Sequence, residues 1–310
     1  MDSSEDRTAS LMTPAKLAQV AGAATAPATP ANFLDRMAAD VGHQHVERLA
    51  QLRQQLEAHG LGRLEQAGEI QLVLQRMLDA LPQVDFAPLQ QRGFWADLTG
   101  KGRTAGSSFA STVDKVDEVA QELAAAVASQ QKQQAQAAAA QDRTMVEFDV
   151  EYQALDKVIH QGSRWLQDMR NQIKARQAQP DAVPQEIRDD EARCELLVER
   201  LKGLRTAAAA SQQAYEEVLA TAARRAELAQ SLGRLSTVYL QSWRSSLSAL
   251  ASAAVAGKAP TPMLNEATKV HGKLGKKLES LLADANQLAT HETALVRQLA
   301  AMAEPLAAVA

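Results

Sequence analysis

The stretch that decides the fold of this chain runs from Met145 to Ile173 and reads MVEFDVEYQALDKVIHQGSRWLQDMRNQI. Its apolar residues recur alternately three and four positions apart, with Gly162 in the one gap. They are Met145, Phe148, Tyr152, Leu155, Ile159, Leu166, Met169 and Ile173. This heptad pattern lets one long helix lie along another. We therefore predict a long helix packed lengthwise against its neighbours.

The same spacing extends to three parts of the chain, each interpreted as a long helix. It begins upstream at Phe109, Val113, Val116, Ala120, Leu123 and Val127. In a second helix, from about residue 186 to 256, it includes Leu197, Leu201, Leu204, Ala208, Ser211, Tyr215, Val218, Ala222, Arg225, Ala229, Leu232, Ser236, Tyr239, Trp243, Ser246 and Leu250. In a third, from about 262 to 303, it includes Leu264, Ala267, His271, Leu274, Leu278, Leu281, Ala285, Leu288, Glu292, Leu295, Leu299 and Met302. The glutamine- and alanine-rich stretch after Val127 predicts a weakly packed but still helical section.

Proline and glycine divide the chain into four predicted regions. We expect a disordered tail at 1–31, a short helical pair at 32–82, a Gly-rich connector at 83–107, and a long antiparallel three-helix coiled coil at 108–310. The HGLG run at His59–Gly62 is expected to end the first short helix. Pro180 and Pro184 are expected to form a hairpin turn. The predicted fold class is all-α, an elongated antiparallel coiled coil of three long helices with a short N-terminal helical region.

Composition and charge exclude several classes of protein. Aromatic residues make up 4% of the 310 residues, β-branched residues are sparse, and no segment alternates with a period of two, so no sheet is predicted. A formal charge of −4 gives no reason to expect nucleic-acid binding. The single cysteine, Cys194, allows no intrachain disulfide. We find neither a signal peptide nor a membrane span, so the prediction is a cytoplasmic protein.

No residue pattern indicates catalysis, a cofactor or a metal. The stretch GKGRTAGSS at Gly100–Ser108 lacks the spacing of a phosphate loop, and we interpret it as a flexible joint. None of the six histidines has a partner histidine four residues away. Cys194 is interpreted as a small helix residue rather than a nucleophile. The chain is therefore predicted not to be an enzyme.

Four lysines form the one concentrated charge feature: Lys269, Lys273, Lys276 and Lys277. One interpretation is a solvated helix flank that pairs with acids on a neighbouring helix. The alternative is a face for an anionic partner, such as a phospholipid surface or an oxyanion. Arg225 lies on the apolar seam, where a buried arginine would need a carboxylate partner.

Three segments resemble the toxic anion resistance family, the TelA-like tellurite resistance proteins of bacteria. They are RGFWADL at Arg92–Leu98, the stretch Tyr152–Leu166, and LSTVYLQSWRSSLSAL at Leu235–Leu250. Trp243 fits the tryptophan of an Ile-Pro-x-Trp segment in that family. Gln241 stands where the family's proline is expected, so the chain resembles a divergent member.

The resemblance implies a non-enzymatic scaffold, cytoplasmic and associated with membranes, in toxic-anion or envelope stress resistance. Its expected partners are proteins, further copies of the chain, and the membrane surface, without nucleic acid. Two alternatives stay open. One is a membrane-binding or membrane-remodelling helical module, and the other is a homo-oligomeric assembly scaffold.

Overall fold

The computed structural model describes residues 40–90, 101–257 and 259–310, with the backbone alone at 101–103, 138 and 139. This part of the chain is all-α and contains no strand, which confirms the predicted class. Its elements are α1 (His43–Ala80), a 3₁₀ turn (Leu81–Gln83), α2 (Ala87–Gln90), α3 (Lys101–Gln177), α4 (Pro184–Arg234), a π-helical segment (Leu235–Leu240), α5 (Gln241–Val255), α6 (Thr261–Ala301) and α7 (Ala303–Ala307). The tail predicted at 1–31 lies outside the described residues.

The helix ends near the predicted prolines are confirmed. Helix α3 ends at Gln177 and α4 begins at Pro184, where a proline is accepted because the first helical N–H has no intrahelical partner. Gly257, with φ +72°, follows the end of α5, and Pro260 precedes α6. A left-handed residue directly after a helix is the usual helix stop.

The predicted helical pair at 32–82 is wrong, because α1 is one helix that continues through His59–Gly62. An interior glycine costs a helix about 1 kcal/mol, which packing can outweigh. Gly60 is buried, and a Cβ on it would lie 2.9 Å from a methyl group of Val296 on α6. Gly60 therefore permits close contact between two helices instead of ending one.

The predicted connector at 83–107 is also wrong over its last seven residues. Helix α3 begins at Lys101, so the glycine-rich stretch is helical there. Gly106 is buried, and a Cβ on it would collide with the backbone carbonyl of Ala254. Its missing side chain lets α3 approach the end of α5 closely. Residues 87–90 of the connector form α2, and residues 91–100, with Phe94 and Trp95, lie outside the described residues.

The larger of two compact units comprises, of the residues described, 50–90, 101–149, 211–257 and 259–303. Where two of its helices are in contact, residue numbers rise along one helix as they fall along the other. These contacts are Gln55–Thr144 and Arg76–Glu122 between α1 and α3, Asp117–Arg244 and Gln131–Ala229 between α3 and α4–α5, Arg225–Glu292 and Trp243–His271 between α4–α5 and α6, and Arg53–Leu299 and Gln71–Ala285 between α1 and α6. In the residues described, this unit thus contains four long, alternately antiparallel helical segments, with α4 and α5 counted as one. The prediction of three long helices is wrong, because α1 supplies a fourth.

The smaller unit comprises, within the described residues, 40–49, 150–210 and 304–310. Arg176 pairs with Asp190 across the turn between α3 and α4. Gly42, with φ +77°, lies against the side chains of Leu155 and Leu204, each 3.2 Å from the place of a Cβ. Only glycine adopts this backbone conformation at so crowded a point without strain.

The apolar seam of α4 and α5 contains one irregular step. From residue 211 one line of buried residues runs through Ser211, Ala214, Val218, Thr221, Arg225, Leu228, Leu232, Leu235, Leu240, Trp243, Leu247, Leu250 and Ala254, and Ala251 is buried beside this line. All steps are three or four residues except the step of five from Leu235 to Leu240, which coincides with the π-helical segment. The predicted seam residues Tyr215, Ala222, Ala229, Ser236, Tyr239 and Ser246 are only half-buried. A continuous heptad pattern has no place for the one extra residue that this step of five contains.

The glutamine- and alanine-rich section of α3 is confirmed as a weakly packed helix. Residues 128–140 are helical, and none of the side chains described there is buried. Alanine favours the helix but offers little surface to bury.

Candidate functional site

The π-helical segment decides which face of α5 enters the core. A π turn holds one more residue than an α turn, so it rotates the following helix by about 100°. With that rotation Trp243, Leu247 and Leu250 are fully buried. Without it, the heptad would instead direct Ser242 and Ser246 inward. The segment thus allows the sequence to bury Trp243, the largest of its fully buried side chains.

Trp243 is joined to α6 through a hydrogen bond and ring contacts. Its indole Nε1–H donates to Nδ1 of His271 at 3.1 Å. The ring of Phe86 meets His271 edge-on at 5.3 Å between centroids, and Phe86 also packs on Phe109 at 5.7 Å. A buried tryptophan needs a partner for its N–H, and here a histidine supplies it. The cluster links the segment after the 3₁₀ turn with α3, α5 and α6.

The hydrogen bond defines the protonation state of His271. Because Nδ1 accepts the indole proton, the imidazole is neutral and carries its own proton on Nε2. Burial lowers the pKa of His271, since charge is disfavoured away from water. The sequence pattern placed His271 on the seam, and the structure gives it a packing role. Phe86 has no periodic signal and was not foreseen.

Arg225 has the carboxylate partner that its seam position required. Its Nε donates to Glu292 Oε1 at 2.9 Å, and the side chains are 10% and 2% exposed. Glu292 was the second polar residue on the third predicted seam, so the pattern contained both halves of the pair. The other carboxylate oxygen of Glu292 is buried without a protein hydrogen-bond partner.

A cavity of about 20 Å³ adjoins this ion pair. Its polar lining includes Arg63, Gln130 and Gln134, beside Arg225 and Glu292. Such a volume accommodates about one water molecule. The arrangement therefore holds two helices together and has no space for a larger ligand.

The lysine face, defined as Lys269, Lys273, Lys276 and Lys277, lies on α6 as predicted. Three of its lysines are exposed and Lys277 is half-buried. Lys269 Nζ lies 3.9 Å from Glu266 on the same helix. For the other three, no ion pair occurs with any carboxylate that the structure describes. Among the described residues, the lysine face therefore shows no ion pair with a neighbouring helix.

Cys194 is in the environment of a packing residue. Cys194 is 2% exposed, and burial raises the pKa of its thiol, the opposite of an activated nucleophile. No group of three or more His, Cys, Asp or Glu side chains suited to a metal occurs within residues 40–90, 101–257 and 259–310. Within the same ranges, no helix is long and apolar enough to cross a membrane.

Comparisons with known proteins give no match: no family model fits the chain, and searches of curated proteins and of solved structures find no similar protein.

Proposed function

We propose that this protein is a non-enzymatic helical scaffold that acts through protein or membrane partners in bacterial resistance to toxic anions of the tellurite type or to envelope stress. The proposal rests on one observation: one group of its polar residues joins helices, and another lies on an exposed face. Arg225, Glu292, Trp243 and His271 are engaged in helix-to-helix contacts. Three of the four lysines of the lysine face are exposed, and only Lys269 has an ion pair with a residue that the structure describes. Such a molecule offers surfaces to partners.

We also propose that the helices within each unit pack as a coiled coil. The buried residues of α6 from Leu274 to Leu299 support this, since their steps alternate four and three: Leu274, Leu278, Leu281, Ala285, Leu288, Glu292, Leu295 and Leu299. A crystal structure in which these side chains each fit between four residues of a facing helix would support the proposal. Seam side chains stacked face to face would contradict it.

A deletion strain tests the stress function. Growth on tellurite is compared for the parent strain, the deletion strain, and the deletion strain carrying either the native gene or the variant K269E/K273E/K276E. The proposal expects greater sensitivity on deletion, rescue by the native gene, and poorer rescue by the variant. Unchanged sensitivity of the deletion strain to tellurite and to envelope stress would overturn it.

The exposed lysines favour a membrane-binding module as the second candidate. Each lysine near an anionic leaflet contributes about 1 kcal/mol. Three lysines therefore contribute about 3 kcal/mol, roughly a hundredfold partition. Contact of this strength is reversible and would need several copies acting together. Co-sedimentation with phosphatidylserine vesicles at low and high salt tests it. The candidate requires salt-sensitive binding that K269E/K273E/K276E abolishes.

A further inference from the structure

Two exposed helix faces of the larger unit carry the same residue spacing with opposite charge. On α1 the sequence reads EQAGEIQL from Glu65 to Leu72, and on α6 it reads KVHGKLGK from Lys269 to Lys276. Each has a charged residue, then glycine and a second charged residue three and four positions later. We define the acidic face as Leu61, Glu65, Gly68, Glu69 and Leu72, all of them exposed.

Among the described residues, the Lys269–Glu266 contact on α6 is the one ion pair made by the charged residues of either face. Glu65 and Glu69 form no ion pair with any residue that the structure describes. Arg63, two residues before Glu65, donates instead to Gln141 on α3. On the other face, Lys273 and Lys276 have no ion pair within the described residues, and only Lys269 has an acidic neighbour.

The two faces cannot meet inside one copy. Gln71 donates to the backbone of Ala285, whereas Gly275 lies against Leu81. Glu69 therefore lies level with about residue 287 of α6, some fourteen residues beyond Lys273. At 1.5 Å per residue the faces are about 20 Å apart along the helix axis.

The glycine at the centre of each face has open space around it. A Cβ added to Gly68 or to Gly272 would meet no atom within 4 Å. A glycine inside a helix lowers stability by about 0.5–1 kcal/mol relative to alanine. The open space shows that the chain's own packing does not require it. A glycine does allow the backbone of another helix to come close.

The acidic face also has an apolar border. Leu61 is 51% exposed and Leu72 is 53% exposed, at opposite ends of the acidic pair. Lysine side chains carry four methylene groups, which can cover such leucines while the ammonium groups reach the carboxylates. The lysine face of another copy thus has the opposite charge and the same residue spacing as the acidic face. Its side chains are long enough to cover the leucines and reach the carboxylates.

We infer that the protein self-associates head to tail, with the acidic face of one copy bound to the lysine face of a second copy. This inference rests on the proposed scaffold function and names its partner. Because the two faces are different surfaces, the contact is heterologous and adds copies into a chain unless it closes into a ring. Its charge pairs make it sensitive to salt.

Sedimentation velocity of the full chain tests the inference through charge exchange. The variant E65K/E69K carries two basic faces, and K269E/K273E/K276E carries two acidic faces. We expect the native chain to associate as its concentration rises, and each variant alone to associate at least about tenfold more weakly. An equimolar mixture of the two variants should associate again, because basic faces then meet acidic ones.

D114K/E118K is the matched control. It reverses an exposed acidic pair with the same spacing on α3, and should associate like the native chain. Circular dichroism establishes that each variant is folded. A native chain that stays monomeric at all concentrations, or association that the face variants leave unchanged, would overturn the inference. So would a monomer whose lysine face binds phosphatidylserine vesicles.

The growth assay separates this inference from the proposed function. A monomeric protein that still rescues the deletion strain overturns the self-association alone. An associating protein whose deletion leaves stress sensitivity unchanged overturns the function alone.

Discussion

Trp243 donates its indole N–H to Nδ1 of His271 at 3.1 Å, and this contact joins α5 to α6 just beyond the π-helical segment. The donor is fully buried, whereas the acceptor is a titratable ring at the edge of the core. The bond exists only while the imidazole is neutral. Packing and protonation are therefore coupled at this point.

Replacing Trp243 with phenylalanine should destabilise the larger unit. W243F removes ring volume from a close-packed site and leaves Nδ1 of His271 without its donor, at a cost of about 1–3 kcal/mol. Urea unfolding followed by circular dichroism measures the change. W165F is the comparison, because Trp165 is only half-buried. Equal stability of the two variants would contradict the packing role of Trp243.

Acid should weaken the fold through His271. Its pKa is lowered on folding, so below about pH 6.5 the unfolded chain binds more protons at this position than the folded chain. The stability contributed by His271 is complete above that pH and is lost as the pH falls towards the folded pKa.

The variant H271N isolates this effect, since an asparagine oxygen can accept from the indole without titrating. The difference in unfolding free energy between the native chain and H271N should shift in favour of H271N between about pH 7.5 and pH 5. A difference that is independent of pH would exclude His271 as the titrating group.

Removing only one partner of the Arg225–Glu292 pair should strongly lower the stability of the larger unit. R225A leaves a buried, unpaired carboxylate and should cost about 3–5 kcal/mol. The double variant R225M/E292L replaces both charges with apolar side chains and should recover most of that loss. Unfolding free energies of the single and double variants test this. A double variant as unstable as R225A would indicate that the pair stabilises the unit by itself.

Deleting one residue from the π-helical segment should be tolerated. Without the exposed Val238, the step from Leu235 to Leu240 becomes four and the same side chains face the core. We expect a stability within about 1 kcal/mol of the parent, since no buried group is lost. Deleting the exposed Ala223 instead shifts Arg225 through Leu235 by one position, so that they no longer follow the buried seam that precedes them. Thermal unfolding distinguishes them, and equal losses for both would contradict the surplus-residue account.

Alanine in place of the two open glycines should have opposite effects on folding and association. G68A and G272A should each raise monomer stability by about 0.5–1 kcal/mol, because alanine favours a helix and meets no neighbour. They should weaken self-association, because a methyl group keeps the second helix further away. Paired denaturation and sedimentation measurements test both signs. The equally open Gly62, at the margin of the acidic face, is the comparison, and G62A should affect association less.

The parts of the fold that sequence predicted are those with a local signal. Pro184 and Pro260 mark helix boundaries because proline cannot donate to a preceding turn. The spacing on α6 predicted its buried residues except that Val270 is buried and the predicted His271 is half-buried, and the polar seam positions Arg225 and Glu292 became partners.

The parts that sequence did not predict depend on distant residues. Gly60 and Gly106 resemble helix breaks when considered locally. Their role is visible only with Val296 and Ala254 in place, far along the chain. The π-helical segment was missed because an α register can be traced through it with small errors at each step. Likewise, the absence of ion pairs between Lys273, Lys276 or Lys277 and any described carboxylate depends on where the fold places those carboxylates.

The single extra residue at Leu235–Leu240 also divides α4–α5 into two segments that follow separate heptad numberings. A hybrid protein that joined the first segment to a plain helix in place of the second would need a one-residue gap at that junction. An alignment made without the gap would compare Trp243 with a solvent-facing position. Any future comparison of this chain with another long helical protein should therefore align the two segments independently.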